Sequence, residues 1–263
     1  MDYFENNTLL TKVQLAYLDL LKLVLTDTLY GKEPDLENDS ASVFITDFIK
    51  HYIKGRAISM LPIIRFNNLQ ACIKQVIEED IPGDLIETGV WRGGAVIFMR
   101  AALEAYGDTA RSVWIADSFE GLPEPDAQKY PLEAKAYHGV VQSKVMNHLA
   151  ASIEDVQDNF RKFGLLDERS IFLKGWFKDT LPGAPIKRLS ILRLDGDHYE
   201  STMDALTSLY DKLSVGGFVI VDDFGEETWT YCKKAIDDFR ASRNINDTIV
   251  QVDSSCSYWR RTV

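Results

Sequence analysis

The sequence predicts an α/β domain: a doubly wound, mostly parallel sheet of seven strands carrying an N-terminal helical cap. Two observations lead there. From residue 84 onward, short apolar runs alternate with segments of helical periodicity. Those runs are continuously apolar rather than alternating in polarity, as strands covered on both faces must be.

The cap comes first in the chain. Residues 9–29 carry Val13, Tyr17, Leu20, Leu21 and Val24 at three- and four-residue spacing, which predicts an amphipathic helix packed through that stripe. Residues 31–42 are polar and rich in breakers, so they read as a loop long enough to act as a lid. Helices are predicted over 43–53 and 66–79, the second stopping before Ile81-Pro82-Gly83. Strands follow at 84–87, 112–116, 170–174, 189–194, 218–221, 248–252 and 257–260. Helices are expected at 95–106, 152–163 and 227–242. One more is opened by Ser201, with Asp204 three residues on, and closed at Gly216-Gly217. The expected division is a cap with lid loop over 1–58 and a main domain over 59–263, with 124–150 as a second lid candidate.

Composition narrows the class. A formal net charge of −11 is the wrong sign for a nucleic-acid surface. Cys72, Cys232 and Cys256 have neither metal-ligand spacing nor disulfide density, and read as free thiols. Neither a leader-like N-terminus nor an apolar run of spanning length occurs, so the expectation is a cytoplasmic protein that does not enter membranes.

In doubly wound sheets, ligands bind beyond the carboxyl ends of the strands. The first strand runs into Glu87-Thr88-Gly89-Val90-Trp91-Arg92-Gly93-Gly94, a tight turn before a helix whose N-terminal amides can meet a ligand. Its spacing is not that of a dinucleotide fingerprint. The second strand ends at Asp117-Ser118, where a carboxylate can accept from ribose hydroxyls or simply cap a turn. After the third come Gly175 and Trp176, an aromatic suited to a flat ring or to core packing. The fourth and fifth end at Asp195-Gly196-Asp197-His198 and Asp222-Asp223. Carboxylates gathered at one rim repel strongly unless a cation joins them, and an all-oxygen set favours Mg²⁺ over Zn²⁺.

These stretches resemble the macrocin-type O-methyltransferases, which methylate sugar hydroxyls on antibiotics. The similarity rests on residues 87–94 with Ala116-Asp117-Ser118-Phe119-Glu120-Gly121-Leu122-Pro123 and Gly175-Trp176-Phe177-Lys178-Asp179-Thr180-Leu181-Pro182. It continues through Leu192-Arg193-Leu194-Asp195-Gly196-Asp197, residues 216–223 and Tyr258-Trp259-Arg260-Arg261. The resemblance implies a Rossmann-like class I methyltransferase fold using S-adenosylmethionine and Mg²⁺. It implies that Met60, Glu87, Thr88, Gly89 and Gly93 border the S-adenosylmethionine pocket, with Asp117 on the ribose, Ser118 beside it, and Gly175 and Trp176 near the adenine. It implies Asp195, Asp222 and Asp223 as Mg²⁺ ligands and Asp197 as general base, with His198 the rival base. It further implies a homodimer and a small-molecule hydroxyl acceptor, a sugar on a natural product. Two alternatives stand beside this: a metal-dependent glycosyltransferase holding a nucleotide sugar through Asp195-x-Asp197, and a non-catalytic S-adenosylmethionine-binding protein.

Overall fold

A computed structural model describes residues 10–31, 49–53, 55–142, 149–225 and 230–263. Helix α1 (Lys12–Leu25) starts where Thr11 Oγ1 accepts from the Gln14 amide at 3.3 Å, satisfying one of the free first-turn donors. A π-helical turn, Ile49–Ile53, and α2 (Ile63–Glu78) follow. The expected loop 31–42 and most of the expected helix 43–53 lie outside the described residues.

The sheet then begins. β1 (Asp84–Thr88), α3 (Gly94–Ala105), β2 (Val113–Asp117), α4 (Pro131–Gln142), α5 (Ile153–Lys162) and β3 (Ser170–Lys174) build one half. The short α6 (Phe177–Thr180), β4 (Leu189–Leu194), α7 (Tyr199–Leu209), β5 (Leu213–Val221), α8 (Thr230–Ser242), β6 (Val250–Gln251) and β7 (Ser257–Arg260) complete the chain. Strand order is β3-β2-β1-β4-β5-β7-β6, with β1 parallel to both β2 and β4, and β7 antiparallel to β5. The expected seven-stranded, doubly wound sheet is therefore present, and its order reverses between β1 and β4.

Period-two alternation divides the core between the two faces. Leu85, Ile115, Ile191 and Ile220 pack with α1, α2, α3 and α5, whereas Ile86, Trp114, Leu192 and Val219 pack with α7 and α8. Helix α3 is buried around most of its circumference, and its buried Arg100 is held by Glu104 at 2.8 Å and Asp167 at 2.6 Å. All three cysteines are free and buried. No helix among the described residues is long and apolar enough to cross a membrane.

Three local expectations differ from the structure. Helix α1 is apolar on two sides, and the face that enters the core is Leu18, Leu21 and Leu25. Val13, Tyr17, Leu20 and Val24 lie outward, with Val13 79% and Leu20 50% exposed. Helix α7 begins two residues before Ser201, and its N-cap, His198, makes no side-chain capping bond. Gly216-Gly217 do not close that helix; a 3₁₀ turn at Tyr210–Lys212 does, and both glycines lie inside β5. Gly216 there has φ 89° at a bulge, and a Cβ would stand 2.6 Å from Ile81.

Candidate active site

The switch point between β1 and β4 brings the strand ends together. Non-glycine residues with left-handed backbone gather at this rim: Trp91 after β1 (φ 47°), Phe119 after β2 (φ 57°) and Asp197 after β4 (φ 59°). The others described, Asp27, Asp80 and Asn244, each follow a helix C-terminus, where that conformation is ordinary. Strain away from helix ends is a mark of functional loops.

Asp195, Asp222 and Asp223 each present a carboxylate oxygen within 4.8 Å of the others, so the structure joins the three residues read as metal ligands. Asp197 sits beside them, its amide donating to Asp223 Oδ2 at 3.3 Å. Burial, and then repulsion from Asp195 and Asp222, hold the Asp197 carboxyl well above the usual range. Burial and Asp197 do the same to Asp223.

Two arginines that sequence reasoning gave no role stand among these carboxylates. Arg193 is Cα partner of Glu87 across the β1–β4 ladder, so the two side chains leave the same sheet face. One of its guanidinium nitrogens donates to Glu87 and, at 2.7 Å, to Asp195; another donates to Asp222. Burial opposes the charge on Arg193, but Asp222, Glu87 and Asp195 outweigh it and hold its pKa well above normal. Arg65, from α2, reaches the second oxygen of Asp222 at 2.8 Å and clamps Asp253 through two donors at 2.6 and 3.0 Å. The signal was a charged residue inside the buried apolar run Leu189–Leu194, since arginine is rarely buried unpaired. Part of the repulsion that called for a cation is therefore met by the protein itself. Glu87, Asp195, Asp197, Asp222, Asp223 and Asp253 still outnumber Arg65 and Arg193, and Glu87 Oε2 is buried with no partner among the described residues. The donor set and this surplus of charge fit a hard divalent ion.

The residues read as cofactor contacts have mixed employment. Asp117 bridges two strand ends, accepting from the Val90 amide and the Phe119 amide, each at 2.7 Å. Burial raises its pKa against those bonds. The Trp91 amide and, at 3.4 Å, Ser118 Oγ also donate to it. Ser118 is committed to its own loop, donating to the Gly121 carbonyl at 2.8 Å and accepting from the Glu120 amide at 3.0 Å. Thr88 is buried in the sheet. Trp176 is half-buried and belongs to neither core cluster. Gly89 and Gly93 have positive φ, yet each has an internal reason to be glycine: a Cβ would lie 1.8 Å from the Asp195 carbonyl or 2.8 Å from Val156. The segment bearing half-buried Met60 crosses this turn, with the Ile58 carbonyl taking the Gly94 amide at 3.2 Å and Arg92 donating to the Ala57 carbonyl at 2.8 Å.

His198 has a buried Nδ1 with no partner among the described residues, and burial lowers its pKa to about 4 against a hydrogen bond to the Pro123 carbonyl. Glu133, which sequence reasoning missed, comes from α4 and accepts from the Tyr199 amide at 3.0 Å. Nothing in the local sequence of α4 marks it.

With this geometry in hand, likeness to known proteins is informative. A family model described as macrocin-O-methyltransferase (TylF) matches residues 54–261. The 8-demethyl-8-(2,3-dimethoxy-alpha-L-rhamnosyl)-tetracenomycin-C 4'-O-methyltransferase of Streptomyces olivaceus is 45% identical over 258 residues, covering 94% of this chain and 92% of that protein. The mycinamicin III 3''-O-methyltransferase of Micromonospora griseorubida is 41% identical, covering 94% and 96%. The solved structure of the O-methyltransferase NovP superposes with TM-score 0.81 at 44% identity, covering 95% of this chain and 100% of that one. The calicheamicin methyltransferase CalS11 shares the fold, at TM-score 0.61 and 17% identity over 99% of each chain. Matched over nearly its whole length by these enzymes, the chain belongs to the macrocin-O-methyltransferase family and is an O-methyltransferase.

Proposed function

We propose that this enzyme methylates a sugar hydroxyl of a glycosylated natural product, taking the methyl group from S-adenosylmethionine and using Mg²⁺ held by Asp195, Asp222 and Asp223. The observation that carries the reading is that carboxylate triad, set beside Asp197 at the sheet's switch point. The acceptor class follows the relatives, one named for methylating position 4' of a rhamnosyl tetracenomycin.

S-adenosylmethionine supplies an electrophilic methyl group, so the catalytic task of the protein is to position and deprotonate a weakly acidic alcohol. Bound Mg²⁺ would offset the negative charge that develops on the acceptor oxygen. Asp117, at the end of β2, would hold the ribose, while Gly89, Gly93 and the segment through Met60 would shape the floor. Glu87 and Thr88 would border it from β1, Gly175 and Trp176 would flank the adenine, and Ser118 would keep the Asp117 loop in shape. Asp197 would take the hydroxyl proton at its carboxylate, since burial raises its proton affinity above that of an ordinary aspartate. His198 is the weaker candidate for base, because the bond to Pro123 fixes its ring and burial disfavours its charged form.

The outward stripe of Val13, Tyr17, Leu20 and Val24, spaced by four, three and four residues, supports pairing of two copies through α1.

Calorimetric titration with S-adenosylmethionine and with a nucleotide sugar, followed by turnover with EDTA and with added Mg²⁺, tests the reading. Binding of S-adenosylmethionine alone, with activity lost on chelation and restored by Mg²⁺, is expected. Turnover indifferent to EDTA would remove the metal, and binding of the nucleotide sugar alone would favour the glycosyltransferase.

A further inference from the structure

Arg65, in the first turn of α2, has every donor in use: the five N–H groups of its guanidinium meet five acceptors. Nε and one terminal nitrogen clamp the Asp253 carboxylate at 2.6 and 3.0 Å, and that nitrogen also donates to Ser255 Oγ at 2.6 Å. The other terminal nitrogen donates to Asp222 Oδ2 at 2.8 Å and to the Asp222 carbonyl at 3.4 Å. The side chain is only 14% exposed, so water competes little for these bonds.

Asp253 is itself anchored. It lies in the turn between β6 and β7, where its Oδ1 accepts from the Ser255 and Cys256 amides at 3.0 and 2.8 Å. Ser257 pairs with Val221, so this turn stands at the carboxyl end of β5, and the Ser255 carbonyl accepts from the Phe224 amide. The clamp on Asp253 fixes the plane of the guanidinium, and the guanidinium then fixes the carboxylate of Asp222. Arg193 donates to the opposite oxygen of Asp222, but one bond alone leaves a carboxylate free to turn about it, since that torsion is soft. Asp253 does not belong to the converging triad of Asp195, Asp222 and Asp223, and among the described residues it reaches Asp222 only through Arg65.

We propose that Arg65 and Asp253 are a positioning pair for the metal site: the β6–β7 turn, through Asp253 and then Arg65, sets the direction in which Asp222 offers its carboxylate to Mg²⁺. This rests on the Mg²⁺ reading above. The sign of the effect separates positioning from charge. Arg65 places a positive charge beside the ligands, so by charge alone its removal would tighten cation binding. Positioning requires the opposite. It also requires that lysine, which keeps the charge but not the planar fork, fail to replace arginine.

The test is calorimetric titration of MgCl₂ into the full-length enzyme saturated with S-adenosylhomocysteine, so that no turnover is read. Arg65→Gln and Arg65→Lys should each weaken Mg²⁺ binding by about 10–100-fold, the usual range for losing the partner that orients a metal ligand. Asp253→Asn keeps Oδ1 for the two turn amides but sets an NH₂ against Nε of Arg65. It should weaken Mg²⁺ to a similar degree, and adding it to Arg65→Gln should cost little more, because both break one chain of contacts. Affinity for S-adenosylhomocysteine, titrated without metal, should not change. Wild-type Mg²⁺ affinity in any of these variants, or tighter binding in Arg65→Gln, overturns the assignment. So does a matching loss of S-adenosylhomocysteine affinity, which would mean that the whole rim had loosened. A wild type that binds no Mg²⁺ would instead sink the metal reading, and this inference with it.

Discussion

Arg193 and Asp222 are joined across the ends of β4 and β5, one guanidinium nitrogen donating to one carboxylate oxygen, and Arg65 takes the other oxygen at 2.8 Å. Asp222 is thus held from two sides by cations that come from different layers, a strand and a helix. In the proposed metal site, Asp222 would act as a ligand whose carboxylate plane is already set by the two arginines.

Removing Arg193 should be costly. Arg193→Met would leave Glu87, Asp195 and Asp222 buried without their common partner, a situation that costs about 3–5 kcal/mol when one half of a buried ion pair is lost. Chemical denaturation should show that loss as a lower midpoint. A midpoint within experimental scatter of wild type would mean that the carboxylates relax into water or take up protons at little cost.

Asp197→Asn should keep binding S-adenosylmethionine and Mg²⁺, because Asp197 contacts the triad only through its backbone amide among the bonds described. Its kcat should fall by ~10²–10⁴, the usual effect of losing a general base. Near-wild-type turnover in a steady-state assay would reassign the proton acceptor, with His198→Gln the next variant to measure.

His198 should make the fold acid-sensitive. Its folded pKa, lowered to about 4 chiefly by burial, lies below the unfolded value near 6.5. The neutral form is the one the fold prefers, so its contribution is fully present above pH 6.5 and is lost as pH falls toward 4. Between pH 7 and pH 5 the loss from this one group is roughly 2 kcal/mol. Neighbouring carboxylates with raised pKa act in the opposite direction, so the measurable quantity is the difference in pH slope between wild type and His198→Gln. Equal slopes would place His198 in water rather than under α4.

The α1 stripe should control assembly. Leu20→Glu puts a charge in the middle of the outward apolar face, at a position 50% exposed in the single chain. Sedimentation is expected to show a dimer for wild type and a monomer for the variant, with melting in dilute solution little changed. A monomeric wild type, or a variant that still dimerises, would assign that face no role in pairing.

The sequence alone determined the sheet, the order of its seven strands, most of the helices between them (though not α4 or α6) and the residues brought to the carboxyl rim. All of these depend on local periodicity and on a topology rule that short-range pattern reveals. The same pattern could not choose the buried face of α1, because Leu18-Leu21-Leu25 and Val13-Tyr17-Leu20-Val24 are both apolar stripes, and only docking against α2 and α3 selects one. It could not find the partners of Arg193 either. That pairing is set by the register of β4 against β1 and β5, so contacts 106 and 29 residues apart decide it. Glu133 is the extreme case: an ordinary glutamate in a first helical turn acquires its partner, the Tyr199 amide, solely because α4 lies across the start of α7. The four strand-end aspartates were legible as a group, but tertiary structure added the two arginines that share their charge.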